Sequence, residues 1–313
     1  PWLTAYALLV FHRAQLAGVA VPDTAVASAA RYLRQALADR PGWTVDPEEE
    51  ASRPLAALAL SLHGFDVEPM IRRALATGGT LPLFARVQLL HALGLQVQAM
   101  ASGRKLLSLA PAARPRPGAQ PRPAAPRPLG DLADGLLREI TNHVKLEGEY
   151  AFATEPGWAW ASALMSSSNR TTAMVLSALL AARPGHPLVE RLAKYLVFGR
   201  KDPGGRPTAR FRNTQEAAFG LLGLWDYARV REATVPDLTA TVWLGKQRLL
   251  ARALKGRDLQ PVAHHVPMAD LLKALGQAGA RLIFQKQGAG RLYYSARLTW
   301  ARRDPLEPAV SRG

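Results

Sequence analysis

The chain has 313 residues, 48% of them hydrophobic and 20% charged, with 40 lysines and arginines against 24 acids and no cysteine. That much apolar side chain can bury a sizeable core, which excludes global disorder, and the length allows two ordinary domains. The missing cysteine excludes disulfides, thiolate metal sites and a cysteine nucleophile within these residues, and leaves the redox compartment open.

The net charge of +16 raises the question of nucleic acid. The arginines are spread along outer helix faces and loops, however. No basic run is interleaved with the aromatics that stacking platforms require. No nucleic-acid partner is expected. No apolar run reaches the ~18 to 20 residues that cross a bilayer, so membrane association is expected only through an anchor or signal carried by a parent chain. The sequence opens inside a helix pattern at Pro1 and stops at Ser311-Arg312-Gly313, which reads as a piece of a longer protein.

In chain order, residues 2 to 18 read as a helix closed by Gly18, and Asp23 as the N-cap of a second running to about Asp39. Pro41-Gly42 breaks it. Pro47 with Glu48, Glu49 and Glu50 starts a third, with acids at the positive end of the dipole, ending at Gly64. Helices over 69–76 and 82–102 follow. The short connections make successive helices antiparallel neighbours. Residues 111–128 then hold seven prolines, four arginines and no acid. This stretch cannot sustain helix hydrogen bonds; it reads as an extended, tolerated loop insertion, a basic arm for an anionic partner being the alternative. Helices resume over 129–143, 169–182, 187–199 and 214–230, with an irregular or short-strand stretch over 147–160 and a Gly/Pro loop at Asp202-Pro203-Gly204-Gly205. Asn213 and Glu216 form a capping-box-like pair.

One helix start recurs. Trp2-Leu3-Thr4-Ala5-Tyr6 is echoed by Asn169-Arg170-Thr171-Thr172-Ala173 and by Asn213-Thr214-Gln215-Glu216-Ala217, with weaker echoes near Pro54 and Phe84. In each full copy a hydroxyl residue precedes small residues and an apolar run. Helices apolar nearly all round are buried on both sides. Several of them alternating with more polar ones describe a repeat array or a closed ring of helical hairpins. Thr4, Thr171 and Thr214 are therefore candidate starts of inner helices, with Asn213, Gln215 and Glu216 as structural groups beside the last.

After Pro236 the period changes to two. Thr239 and Thr241 alternate with Ala240, Val242 and Leu244; Arg281-Leu282-Ile283-Phe284 reads as a strand turning at Gly288-Ala289-Gly290; Leu292, Tyr294, Ala296, Leu298 and Trp300 alternate as a closing strand. A β-rich module thus follows a helical one, with the boundary near 230 to 236.

Catalytic chemistry is sparse. The acids (Asp23, Glu48, Glu49, Glu50, Asp131, Asp134) read as caps and outer-face residues, not the facing carboxylates of an α/α-barrel glycosidase or lyase. His12, His63, His91, His143, His186, His264 and His265 are scattered, and the His264-His265 pair has no further ligands at metal spacing. There is no phosphate loop and no nucleophile elbow. Trp2, Trp158, Trp160 and Trp225 read as core aromatics. No catalytic residue, cofactor or metal site is expected, and the chain is not expected to be an enzyme.

The repeated motifs resemble a known family. Pro1-Trp2-Leu3-Thr4-Ala5-Tyr6-Ala7-Leu8-Leu9 resembles the helix after the thioester helix of the alpha-2-macroglobulin and complement family. Ser168-Asn169-Arg170-Thr171-Thr172-Ala173 and Arg212-Asn213-Thr214-Gln215-Glu216-Ala217 resemble two later inner helices of the same domain. Arg291-Leu292-Tyr293-Tyr294-Ser295-Ala296-Arg297-Leu298 resembles the closing strand of the β module after it, in the bacterial branch especially.

The resemblance implies an incomplete α/α toroid over 1–230, carrying the 111–128 insertion. It further implies a small β-rich, sandwich-like module over 236–303 and, over 304–313, the start of a linker to a missing macroglobulin-like domain. It implies a fragment of a broad endopeptidase inhibitor, a protease trap of the periplasm or cell envelope, with proteases as partners of the full-length parent. The Cys-x-x-Gln thioester motif would lie before Pro1. The histidine that assists hydroxyl transfer in complement-type members has no counterpart between Arg40 and Pro54. A thioester-less interaction scaffold is the main alternative, and an α/α-barrel enzyme a weaker one.

Overall fold

The computed structural model describes residues 1–37, 47–76, 81–109, 127–155, 167–201, 206, 208, 210–257, 260–275 and 279–300. Most of the proline-rich stretch, Asp39 to Gly42, Trp158, Trp160, the 202–205 loop and the 304–313 segment lie outside them, as do the side chains of Glu48, Glu49 and Glu50. The chain divides into two compact units, Pro1–Val230 and Arg231–Gly313: a helical domain and a small β domain.

In the first unit the order is α1 (Trp2–Leu16), α2 (Asp23–Ala36), α3 (Pro47–Leu62), α4 (Glu68–Ala76), α5 (Leu83–Ala101) and α6 (Leu129–Thr141). A hairpin, β1 (Val144–Glu147) and β2 (Tyr150–Ala153), precedes α7 (Ser168–Ala182), α8 (Leu188–Lys194) and α9 (Thr214–Arg231). A π-helical turn, Tyr195–Gly199, continues α8. Gly18 and Gly64 adopt φ near +80° just beyond α1 and α3, a conformation glycine takes without a Cβ penalty. Asp23 is not a cap. Pro22 holds that position, without a side-chain donor or acceptor, and Asp23 is the first helical residue, where its charge still meets the positive end of the dipole.

Two kinds of helix emerge. α5 and α7 bury residues around almost their whole circumference, the latter without a break from Asn169 to Ala181. α2, α4 and α6 bury only one stripe each. The apolar helices pack in succession, α1 on α3, α3 on α5 and α5 on α7, with α2 against α1, α4 against α3 and α5, α6 against α5, and α8 against α7. Residues of all these helices join one continuous core. The echo near Pro54 begins inside α3 rather than at its start.

Close approach of α5 and α7 depends on one glycine. A Cβ at Gly94 would lie 2.8 Å from the Ala182 nitrogen and 2.9 Å from the Ala181 carbonyl carbon. Both are backbone atoms of a buried helix, which cannot swing aside. Gly94→Ala is therefore expected to destabilise by about 1–3 kcal/mol, as overpacking does. Gly135 in α6 has open space where its Cβ would be. There the same change is expected to stabilise by roughly 0.5–1 kcal/mol through helix propensity. Urea unfolding of both variants checks the pair, and equal shifts would refute the contact argument.

In the second unit β3 (Asp237–Leu244) lies between β4 (Gln247–Lys255) and β5 (Leu282–Ala289), all antiparallel, with α10 (Met268–Leu275) connecting β4 to β5. Leu238, Ala240 and Leu244 are buried on one face of β3, as the alternating pattern requires. Two expectations fail. Gly288 and Ala289 continue β5 and pair with Leu238 and Asp237 instead of turning. A Cβ on Gly288 would sit 2.3 Å from the Asp237 carbonyl oxygen, so glycine marks a close backbone approach here. Residues 291–300 form no strand despite their alternation; period two gives only a propensity, and a ladder also needs a hydrogen-bonded neighbour. Tyr294 instead stacks on Phe284, 4.0 Å between ring centroids. The described residues of this unit contain one three-stranded sheet, not the two of a sandwich.

Candidate functional site

The motif residues meet near the N-terminal ends of α7 and α9. α7 is opened by Ser167, whose hydroxyl accepts from the Arg170 amide at 3.1 Å. Thr171 is thus a fourth-position residue, fully buried, and its hydroxyl donates to Glu155 Oε2 at 2.5 Å. Thr172 accepts the Ala153 amide at 3.0 Å and donates to the Ser168 carbonyl at 2.6 Å, which ties β2 to the helix start.

At α9, Thr214 is the first helical residue and Asn213 precedes it. Asn213 Oδ1 accepts the Glu216 amide at 2.9 Å. Glu216 Oε2 reaches back to the Arg212 amide at 2.9 Å rather than to the Asn213 amide of a standard capping box. α1 differs: it opens at Trp2 after Pro1, has no side-chain cap, and carries Thr4 as its third, half-buried residue. The Thr4 hydroxyl therefore does not supply the expected cap.

These starts are cross-linked. The Asn169 amide nitrogen donates to Glu216 Oε2 at 3.4 Å, and Tyr195 donates to Asn169 Oδ1 at 2.9 Å. The Gln215 amide reaches the Tyr6 hydroxyl of α1 at 3.5 Å. Burial raises the Tyr195 phenol, with the Glu216 charge adding to it. Burial also raises Glu155, against the Thr171 hydroxyl, Arg170 and the backbone of Phe84 and Leu83. The Glu155 carboxylate is held by the Thr171 hydroxyl through Oε2, while its Oε1 has no hydrogen-bond partner and α5 begins after Pro82 without a side-chain cap. Arg170 is 2% exposed, and its guanidinium lies over Phe84 at 4.9 Å and Phe219 at 5.7 Å. Desolvation lowers it to about 10 despite Glu155; it remains a cation at neutral pH.

A second polar group joins α1 to α9. Arg13 grips Asp226 with both terminal nitrogens, one contact at 2.8 Å. Ser177 of α7 donates to the same carboxylate at 2.7 Å. His12 packs edge-on against His63 at 5.5 Å, and Arg13 and Arg229 both lie 5.7 Å from the Trp225 ring. Trp2 stacks on Tyr6 at 5.3 Å.

Sequence reasoning placed the acids on caps and outer faces. It singled out Glu216 at the start of α9 but missed Glu155 and Asp226, which serve hydroxyls and an arginine. A carboxylate inside an apolar helix run, such as Asp226 after Leu224 and Trp225, was the available signal. Among the described residues no group of three or more His, Asp or Glu could hold a metal, and no helix is long and apolar enough to cross a membrane.

No protein-family model matches the sequence, and no curated protein matches it. Solved structures do. Two crystal structures of Salmonella alpha-2-macroglobulin, one of a point mutant and one reacted with methylamine, align at 20% identity and a TM-score of 0.46. The alignment covers 82% of this chain and 14% of theirs. The likeness is a coarse one of chain path, and the chain spans a small part of those proteins' length.

Proposed function

We propose that this chain is part of a broad-spectrum endopeptidase inhibitor of the bacterial cell envelope, a protease trap of the alpha-2-macroglobulin type. In this reading residues 1–230 are the remainder of an α/α toroid, and the β module belongs to the domain beside it. The observation that carries it lies in the motifs on which the family resemblance rests. They are far apart in sequence, yet Tyr6 meets Gln215 and Asn169 meets Glu216 through hydrogen bonds. Residues that would be unrelated surface positions in an arbitrary helical protein act here as one cross-linked platform.

The chain's own contribution is to fasten that platform. It is not itself an enzyme, and it holds no cofactor. The capturing groups, the bait and the neighbouring macroglobulin-like domains belong to the parent, and proteases are the parent's partners in the periplasm.

Trypsin incubated with the full-length parent is expected to lose activity on protein-sized substrates while keeping activity on a small chromogenic peptide. The 313-residue chain alone is expected to protect neither substrate and to form no mass adduct with trypsin or a small amine. Equal loss on both substrates, or no loss on either, would refute the trap. Inhibition by the isolated chain would move the activity into these residues.

A further inference from the structure

The apolar helices line a partly open cleft of about 20 Å³ whose wall draws on α1, α3, α5, α7 and α9. Most of the wall is aliphatic or aromatic, including Leu58 and Phe219, but Arg13, Gln88, His91 and Ser177 also reach it. Two of these carry a buried polar atom with no hydrogen-bond partner, Arg13 Nε and Gln88 Oε1. The other groups are committed elsewhere. The terminal nitrogens of Arg13 and the Ser177 hydroxyl are taken by Asp226. Gln88 is only 4% exposed, so bulk solvent cannot serve its oxygen.

A stranded buried donor or acceptor carries its full desolvation cost. Here one of each belongs to residues that line the same cleft. Holding a water takes at least ~10–15 Å³ and two to four polar partners. The volume meets the first condition, and Arg13, Gln88, His91 and Ser177 supply polar lining for the second.

We propose that this cleft is a binding site for one water molecule, which accepts from Arg13 Nε–H and donates to Gln88 Oε1, bridging α1 and α5. The Ser177 hydroxyl and the His91 ring complete its polar surroundings. Because a water both donates and accepts, it serves either orientation of the Gln88 carboxamide. A halide would satisfy Arg13 alone, and it would meet repulsion from the Asp226 carboxylate and the Gln88 oxygen. The inference does not depend on the inhibitor reading.

Gln88→Leu separates a wet cleft from a dry one by the sign of its effect. If water links the two residues, the variant strands Arg13 Nε and the Tm of the 313-residue chain falls, by about 3 °C or more. If the cleft is dry, the variant removes an unsatisfied acceptor and the Tm stays or rises, which would overturn the proposal. The unsubstituted chain gives an independent reading should the variant fail to fold. A nuclear Overhauser cross-peak between a long-lived water and the Gln88 side-chain amide protons is expected. Its absence, or an anomalous bromide peak in the cleft after a bromide soak, would overturn the assignment.

Discussion

Asp226→Ala is expected to destabilise the helical unit by about 3–5 kcal/mol, the usual cost of stranding one partner of a buried ion pair. Burial alone would raise the Asp226 carboxyl. The hydrogen bonds and charge of Arg13 more than offset it, with His91 and Ser177 assisting, and hold the carboxyl below its ordinary range. The side chains of Arg13 and Asp226 are 12% and 16% exposed, so solvent is a poor substitute for either partner. The pair joins residues 213 positions apart, and its loss releases α1 from α9 as well as leaving a cation stranded.

The double variant Arg13→Met, Asp226→Leu removes both charges and should recover much of the loss, because well-packed apolar residues can replace a buried pair at little cost. Urea midpoints with unchanged slopes provide the measurement. A single-variant loss below about 1 kcal/mol would show the pair to be surface-like.

The helices were readable because their punctuation and periodicity are local. Gly18 and Gly64 end α1 and α3, and the runs around Leu89 and Leu176 announce burial on every side. The contacts that organise the candidate site were not readable, because they are non-local. Nothing in Thr171 predicts a bond to Glu155, and nothing in Glu216 predicts the Asn169 amide. Asn213 was the exception, since a cap acts three residues from itself. The β module failed in two places for a related reason. Strand propensity at Leu292 to Trp300 and turn propensity at Gly288 to Gly290 both yield to what the neighbouring strand offers. β4 and α10 carry short, mixed patterns that composition alone does not separate from loop.

Acidification is expected to unfold the helical unit in a window set by two histidines. Burial, then His63, Arg13 and Arg229, lowers His12 to about 4 against a raising effect of Asp226. Burial and Arg13 lower His91 to about 4 against the same carboxylate. Their ordinary value is 6.5, so between 6.5 and 4 the unfolded chain binds more protons than the folded one. Stability is then highest above pH 6.5, falls as pH drops, and loses no more from these groups below about 4. His91, only 9% exposed, accounts for roughly 3 kcal/mol over the whole window. His12 is partly open to solvent and contributes less after screening.

Glu155, whose carboxyl is raised, works in the opposite sense and relieves part of the loss as it protonates. Asp226, held low, matters only below about pH 4. Chemical denaturation of the 313-residue chain between pH 7.5 and 4 should therefore show a steady decline. His91→Gln cannot take up the proton and should remove more than half of the slope, whatever it costs at neutral pH. A slope unchanged in that variant would mean that His91 titrates normally and that the burial drawn around it is wrong.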